Sequence, residues 1–173
     1  MAISNILTYP NDFLRQKAKP VENVNDKVQE IIENMIKTMY AAPGSGLAAI
    51  QVGIDQSILI YDMSPVEEGQ SPQVLINPTI VSSEGAIVSE NEGCLSIPDF
   101  RADVKRSSYV KVEALDREGS PLSIEGDKYL AIVLQHEIDH LNGILFIDRL
   151  SPLKRGMYKN RVKKQMSKSE TKV

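Results

Sequence analysis

Soft metal ligands are scarce in this chain: its 173 residues contain one cysteine, Cys94, and two histidines, His136 and His140. A single cysteine excludes an internal disulfide and suits a reducing compartment. Long apolar runs are missing as well, and none approaches the roughly 20 residues that a membrane-spanning helix needs. The opening stretch, MAISNILTYPNDFLRQ, lacks the basic start, apolar centre and small-residue cleavage site of a secretory leader. It is not the Arg-rich, acid-poor sequence of a transit peptide either, so the chain is expected to stay where it is made. Disorder is excluded by 42% hydrophobic and 25% charged residues, ordinary values for a globular protein. No repeat or linker divides the sequence, and its length suits one domain over residues 1–173 with its own core.

Charge is distributed unevenly. The formal net charge is −3, yet residues 154–173 carry eight basic side chains (Lys154, Arg155, Lys159, Arg161, Lys163, Lys164, Lys168 and Lys172) against Glu170 alone. The other 153 residues hold 12 basic and 22 acidic side chains, so an acidic body ends in a basic tail.

Periodicity places the main elements. After Asn25, a natural N-cap, DKVQEIIENMIKTMYAA sets Val28, Ile31, Ile32, Met35 and Met39 on one helical face, and Pro43 and Gly44 end it. Runs at 57–62, 73–83, 86–90 and 108–115 read as strands between Gly, Pro, Asn and Asp punctuation. A second helix fits 128–142, with Asp127 as its cap and Gly143 as a left-handed stop. Its YLAIVLQ is apolar on every side and predicts a helix buried in the middle of the fold. From Ser151 a third helical segment would align Leu153, Met157, Val162 and Met166 on a thin apolar face, with Gly156 weakening it. The expected class is α+β: mixed, mainly antiparallel sheet around a buried central helix, with an amphipathic helix before it and a C-terminal helix after it.

That central helix carries QHEIDH. Residues four apart share a helix face, so His136 and His140 can offer ring nitrogens to one point with Glu137 beside them. This is the HExxH arrangement, two metal ligands and a carboxylate able to handle protons. The alternative is a pair of hydrogen-bonded core histidines. A third ligand is hard to find downstream, where only Asp148, Glu170 and the chain end carry carboxylates. Asp148 lies in an apolar, strand-like run and Glu170 in the charged tail. Upstream, NEGCLS offers Cys94, and Cys94, His136 and His140 would together use every soft ligand the chain possesses. A further stretch, GSGLAAIQVG at 44–53, is too small and glycine-rich for simple core packing. Gly and Ala there allow close backbone approach, and Gln51 supplies an amide donor suited to an oxyanion.

Taken together, GSGLAAIQ, EGCLS and QHEIDH resemble the three signature motifs of the peptide deformylases, in their usual order, and the similarity runs on through LINP, CLSIP and LFIDRLSPLK. The resemblance, to the bacterial type, implies a metallo-amidohydrolase that removes the N-formyl group from the initiator methionine of new polypeptides. It implies one divalent metal ion on Cys94, His136 and His140, Fe2+ in the cell with Ni2+, Co2+ or Zn2+ as substitutes, and Glu137 as general base and acid. Gln51 and the backbone N–H of Leu95 would stabilise charge on the formyl oxygen. Gly46 and Gly93 would flank an extended peptide, Ile132 and Val133 would line the methionine pocket, and Ser45 and Arg101 would stand at its rim. Ser45 replaces an apolar residue, and Pro43 an acid, found in many relatives, which bears on side-chain preference. The basic tail resembles a ribosome-docking helix, and the resemblance implies a monomer in the bacterial cytoplasm.

Two rival readings are a metallopeptidase cutting internal bonds, which would need a wider cleft and commonly a third ligand other than a thiolate, and a ribosome-binding module with a closed structural metal. The absence of an obvious fourth ligand in the sequence argues against the second.

Overall fold

The computed structural model of the chain describes residues 3–64 and 71–170. The first helix, α1 (Asp26–Ala41), starts at Asn25, whose side chain accepts the Val28 N–H at 3.1 Å and so satisfies one of the donors that a helix start leaves open. Val28, Ile32, Met35 and Met39 are buried and Ile31 partly so, as the spacing predicts. The helix ends at Ala42, ahead of Pro43 and Gly44.

Among the described residues seven strands follow in chain order: β1 (Gly46–Ala48), β2 (Ile58–Tyr61), β3 (Gln73–Glu84), β4 (Ile87–Cys94), β5 (Ile97–Arg106), β6 (Tyr109–Leu115) and β7 (Pro121–Asp127). Five form one sheet in the order β1-β2-β3-β6-β7, and β4 and β5 form a separate ribbon. Every ladder among the described residues is antiparallel. The sequence predicts β2, β3, β6 and the first half of β4. It does not predict β1, β5 or β7. β1 is three residues in a glycine-rich stretch, while β5 contains Pro98 and five charged side chains, and only Ile97, Val104 and Arg106 of it are buried.

The second helix, α2 (Lys128–Leu141), follows β7 without a loop. Asp127 occupies the N-cap position, but its side chain makes no capping hydrogen bond, contrary to expectation. Entry into the helix is set instead by the sheet: the Lys128 N–H donates to the carbonyl of Ser108, just before β6, at 3.0 Å. Ala131–Leu134 and Glu137–Leu141 are buried, which fits a central helix. Tyr129 is 55% exposed, so YLAIVLQ is not buried all round. Gly126 permits the close packing of β7 on α2, since a Cβ there would lie 3.0 Å from Leu134 Cδ1 and 3.3 Å from the Ala131 nitrogen.

Asn142 and Gly143 end α2 as expected, with Gly143 at φ +72°. Asp148 is in a 3₁₀ turn (Phe146–Arg149), where it accepts the Leu145 N–H at 2.9 Å and pairs with Arg15; it is not in a strand. The last helix, α3 (Pro152–Glu170), docks through buried Tyr158 and partly buried Val162. Leu153, Met157 and Met166 are 74%, 65% and 46% exposed, so the expected thin apolar face is not buried. Tyr158 and Val162, four apart, define the seam, and the three long apolar side chains fall outside it. Lys172 lies outside the described residues. Among those residues no helix is long and apolar enough to cross a membrane.

One backbone position should tolerate no side chain. A Cβ on Gly143 would overlap the Arg15 carbonyl in addition to forcing an L-residue into left-handed space. Gly143→Ala is expected to cost at least ~2 kcal/mol in urea unfolding; parental stability in that variant would mean that the α2 stop is not held against residue 15.

Candidate active site

Three parts of the fold meet at one cleft. Helix α2 presents His136, Glu137 and His140, the end of β4 presents Cys94, and the 3₁₀ turn after β1 (Ala49–Val52) presents Gln51. The cleft has a volume of about 810 Å³. β4 reaches it through an irregular ladder, with register shifts between Ser89 and Glu92 and again between Glu92 and Cys94. Such bulges bend a strand and re-aim its side chains.

Donor atoms of Cys94, His136 and His140 all lie within 4.8 Å of one another, and Cys94 Sγ is 3.1 Å from His140 Nε2. The Ser96 N–H points at the same sulfur at 3.4 Å, and Gln51 Nε2 at 3.6 Å. Gln51 is buried and its orientation is fixed, because Oε1 accepts the Ala48 N–H at 2.9 Å while Nε2 donates to Ser96 Oγ at 3.1 Å. Its amide nitrogen therefore faces the donor group. On the other side, His136 Nδ1 is 2.7 Å from Glu92 Oε1. Burial would raise the Glu92 pKa, but hydrogen bonds from His136 and Arg106 outweigh it and bring the group down to about 2. An ionised carboxylate only accepts, so Nδ1 carries the proton and Nε2 is left for the site.

In the metal-free protein the pKa values of the two imidazoles are shifted in opposite directions. Burial resists charging His136, but hydrogen bonds to Cys94 and Glu92 hold its pKa well above the ordinary value. Burial and the neighbouring His136 charge push His140 well below it. Burial also raises Glu137 to about 7, against the lowering effect of His136, and its Oε2 is buried with no hydrogen-bond partner. A carboxyl poised near neutrality can both take and give a proton. Gly46 packs directly on it: a Cβ there would lie 2.6 Å from Glu137 Oε1 and 2.9 Å from its Cγ.

Behind the donors is an ionic chain, buried at Glu92, Arg106 and Asp139 and exposed at Arg149. Arg106, its side chain 1% exposed, pairs with Glu92 and, at 2.7 Å, with Asp139 of α2; Arg149 closes the line on Asp139 at 2.6 and 2.5 Å. None of these four residues was singled out from sequence. Glu92 had a usable signal, being a carboxylate two residues from Cys94, since metal-binding imidazoles nearly always donate their second N–H to such a group.

The residues expected from sequence come together. Ser45, Gly46, Gln51, Gly93, Cys94, Leu95, Arg101, Ile132, Val133, His136 and Glu137 all line the cleft, and His140 sits beneath it against Cys94. Gly93 lies under Arg101, whose Nη1 donates to the Asn91 carbonyl at 3.2 Å. Tyr129, unforeseen, stands at the mouth with its hydroxyl 3.3 Å from Ser45 Oγ.

The donor set fits a divalent cation. Two imidazole nitrogens and a sulfur converge within 4.8 Å of one another, with the outer nitrogen of His136 held by Glu92 and that of His140 buried without a partner. Such a group beside a buried carboxylate with an unpartnered oxygen defines a metal-dependent hydrolase. Comparison with known proteins narrows this class to a family. The model of the polypeptide deformylase family matches residues 3–156, and the chain belongs to that family. It is 51% identical to the peptide deformylase of Desulfosudis oleivorans over 98% of both chains. The crystal structure of a peptide deformylase from Legionella pneumophila superposes with a TM-score of 0.88 at 46% identity, covering 98% of each chain. A Met-Ala-Ser-bound peptide deformylase structure from Acinetobacter baumannii superposes at 0.81, with 32% identity over 86% of this chain and 99% of that one.

Acid should expose the role of Glu92. Its folded pKa is depressed from 4.5 to about 2, so its contribution to stability is complete above about pH 4.5 and is lost as pH falls toward 2. In the metal-free protein Glu92→Gln is expected to remove on the order of 3 kcal/mol at pH 7 and to flatten the decline between pH 4.5 and 2. Denaturant unfolding at stepped pH reads both effects, and an unchanged acid profile in the variant would contradict this assignment.

Proposed function

We propose that this protein removes the N-formyl group from the initiator formyl-methionine of newly made polypeptides and releases formate, using one divalent metal ion on Cys94, His136 and His140. The reading is carried by the convergence of those three donors with buried Glu137 in the cleft of a chain of this family. When bound, the ion supplies Lewis acidity, which acidifies water and polarises a carbonyl oxygen. Glu137 accepts a proton from the attacking water and passes it to the departing amine as the formyl C–N bond breaks. Gln51 Nε2, preset by its bonds to Ala48 and Ser96, and the backbone N–H of Leu95 stabilise the charge that develops on the formyl oxygen.

Substrate binding follows from the sheet edges. β1 is the edge strand of the five-stranded sheet, and the glycine-rich stretch and β4 both line the cleft. An extended peptide between them would add a strand, with Gly46 and Gly93 allowing its backbone close. Ile132, Val133 and the His136 ring would hold the methionine side chain, with Ser45 and Arg101 at the rim. That a relative's structure holds Met-Ala-Ser supports a peptide beginning with methionine as the ligand.

Iron is the proposed metal in the cell; ligand softness alone does not select it over zinc, and the resemblance carries that choice. The bacterial cytoplasm is the proposed compartment and a monomer the proposed state, with residues 1–173 acting as one catalytic domain. The exposed Lys154, Lys163, Lys164 and Lys168 of α3 support a salt-sensitive contact with ribosomal RNA.

The test is formate release from formyl-Met-Ala-Ser by protein purified without oxygen and loaded with Fe2+ or Ni2+. Glu137→Ala is expected to lower kcat by about 10²–10⁴-fold while the metal stays bound. Gly46→Ala, which must displace Glu137, is expected to lower it about tenfold or more. A metal-loaded parent that releases no formate would overturn the reading.

A further inference from the structure

Helix α3 reaches the rim of the cleft through Arg161. Its Nη2 donates to the Asp99 carbonyl at 2.5 Å, and its guanidinium lies 5.7 Å from the Phe100 ring centroid and 5.6 Å from that of Tyr158. Phe100 and Tyr158 meet at 4.6 Å. Phe100 also stacks on buried Phe146 at 6.0 Å and 18°, and Phe146 stacks on His136 at 6.3 Å and 27°. Asp99 and Phe100 line the cleft, whereas Arg161 falls beyond the 3–156 stretch that the family model matches.

Asp99 is a non-glycine residue at φ +59°. Such a conformation persists where the surroundings over-determine it. Here β5 holds one side and Arg161, from another element, grips the carbonyl. The guanidinium makes these contacts together: an N–H donates to the Asp99 carbonyl while the cation lies over the Phe100 and Tyr158 rings. A compact ammonium on a flexible stem is less well suited to hold all three than a spread, planar cation.

We propose that Arg161 is a positioning residue, which by holding the Asp99 carbonyl and covering Phe100 fixes the wall of the cleft on which the formylated peptide rests. This rests on the deformylase reading. The effect belongs to binding more than to chemistry, because His136 is oriented separately by Glu92 at 2.7 Å and Glu137 is held by Gly46 and burial. Loosening Phe100 therefore moves the wall and leaves the donor group in place.

Two readouts test it on the full-length chain. In Arg161→Ala, KM for formyl-Met-Ala-Ser is expected to rise about fivefold with kcat within about twofold of the parent. Arg161→Lys is expected to behave nearly like the alanine variant, since a compact ammonium does not reproduce the guanidinium's spread of donors and ring contacts. Independently of turnover, amide hydrogen exchange over residues 97–101 is expected to quicken in both variants while exchange in α2 stays unchanged. Unaltered exchange at 97–101 would overturn the proposal, as would a lowered thermal midpoint with parental KM, or full rescue by lysine. A parent that shows no formate release would refute the deformylase reading instead, and the exchange comparison would still decide whether Arg161 holds the wall.

Discussion

The site depends on one buried ionic contact, Arg106 between Glu92 of β4 and Asp139 of α2. Cys94 and the two histidines come from elements that share no sheet and are separated by more than 40 residues of chain. Arg106 ties the ribbon to the helix at the level where both must deliver ligands. A buried ion pair adds little net stability over apolar packing of the same volume, but removing one partner costs about 3–5 kcal/mol. The contact therefore serves mainly to set position: with it in place Glu92 stands where His136 can donate to it, and Cys94, two residues on, falls against His140. Arg149 neutralises the far end at Asp139, which balances the line without placing a free charge in the core.

Small residues serve the same end by subtraction. Gly46 leaves the space that Glu137 occupies, and Gly126 allows β7 to seat α2 deeply enough for the helix to reach the cleft floor. A buried carboxyl with an unpartnered oxygen is an unfavourable arrangement for stability. Its persistence at the bottom of a cleft, beside three metal donors, is what a site that moves protons requires.

Much of this was legible in the sequence. The i, i+4 spacing of the histidines, the lone cysteine behind a glycine and the GSGLAAIQ stretch each point to a position that lines or underlies the cleft. Helices α1 and α2 are marked by apolar periodicity and by Asn25 and Gly143 at their ends. Other elements, β7 among them, were less legible. β5 alternates poorly, because its buried positions include a charged arginine whose partners are distant in sequence. β1 is too short to show a pattern, and its pairing comes only from β2. For α3, the expected apolar face holds only at Val162, which makes the seam with Tyr158, while Leu153, Met157 and Met166 remain outside. In each case tertiary contact outweighs the local pattern, and the ionic chain behind the ligands is wholly of that kind.

The central claim is that Cys94, His136 and His140 bind one metal ion together. X-ray absorption on the zinc-loaded protein tests it most directly. The account gives one sulfur at about 2.3 Å and two imidazole nitrogens at about 2.0–2.1 Å around each ion, with the sulfur lost in Cys94→Ser. A parental spectrum without sulfur, or with only one imidazole, would contradict it.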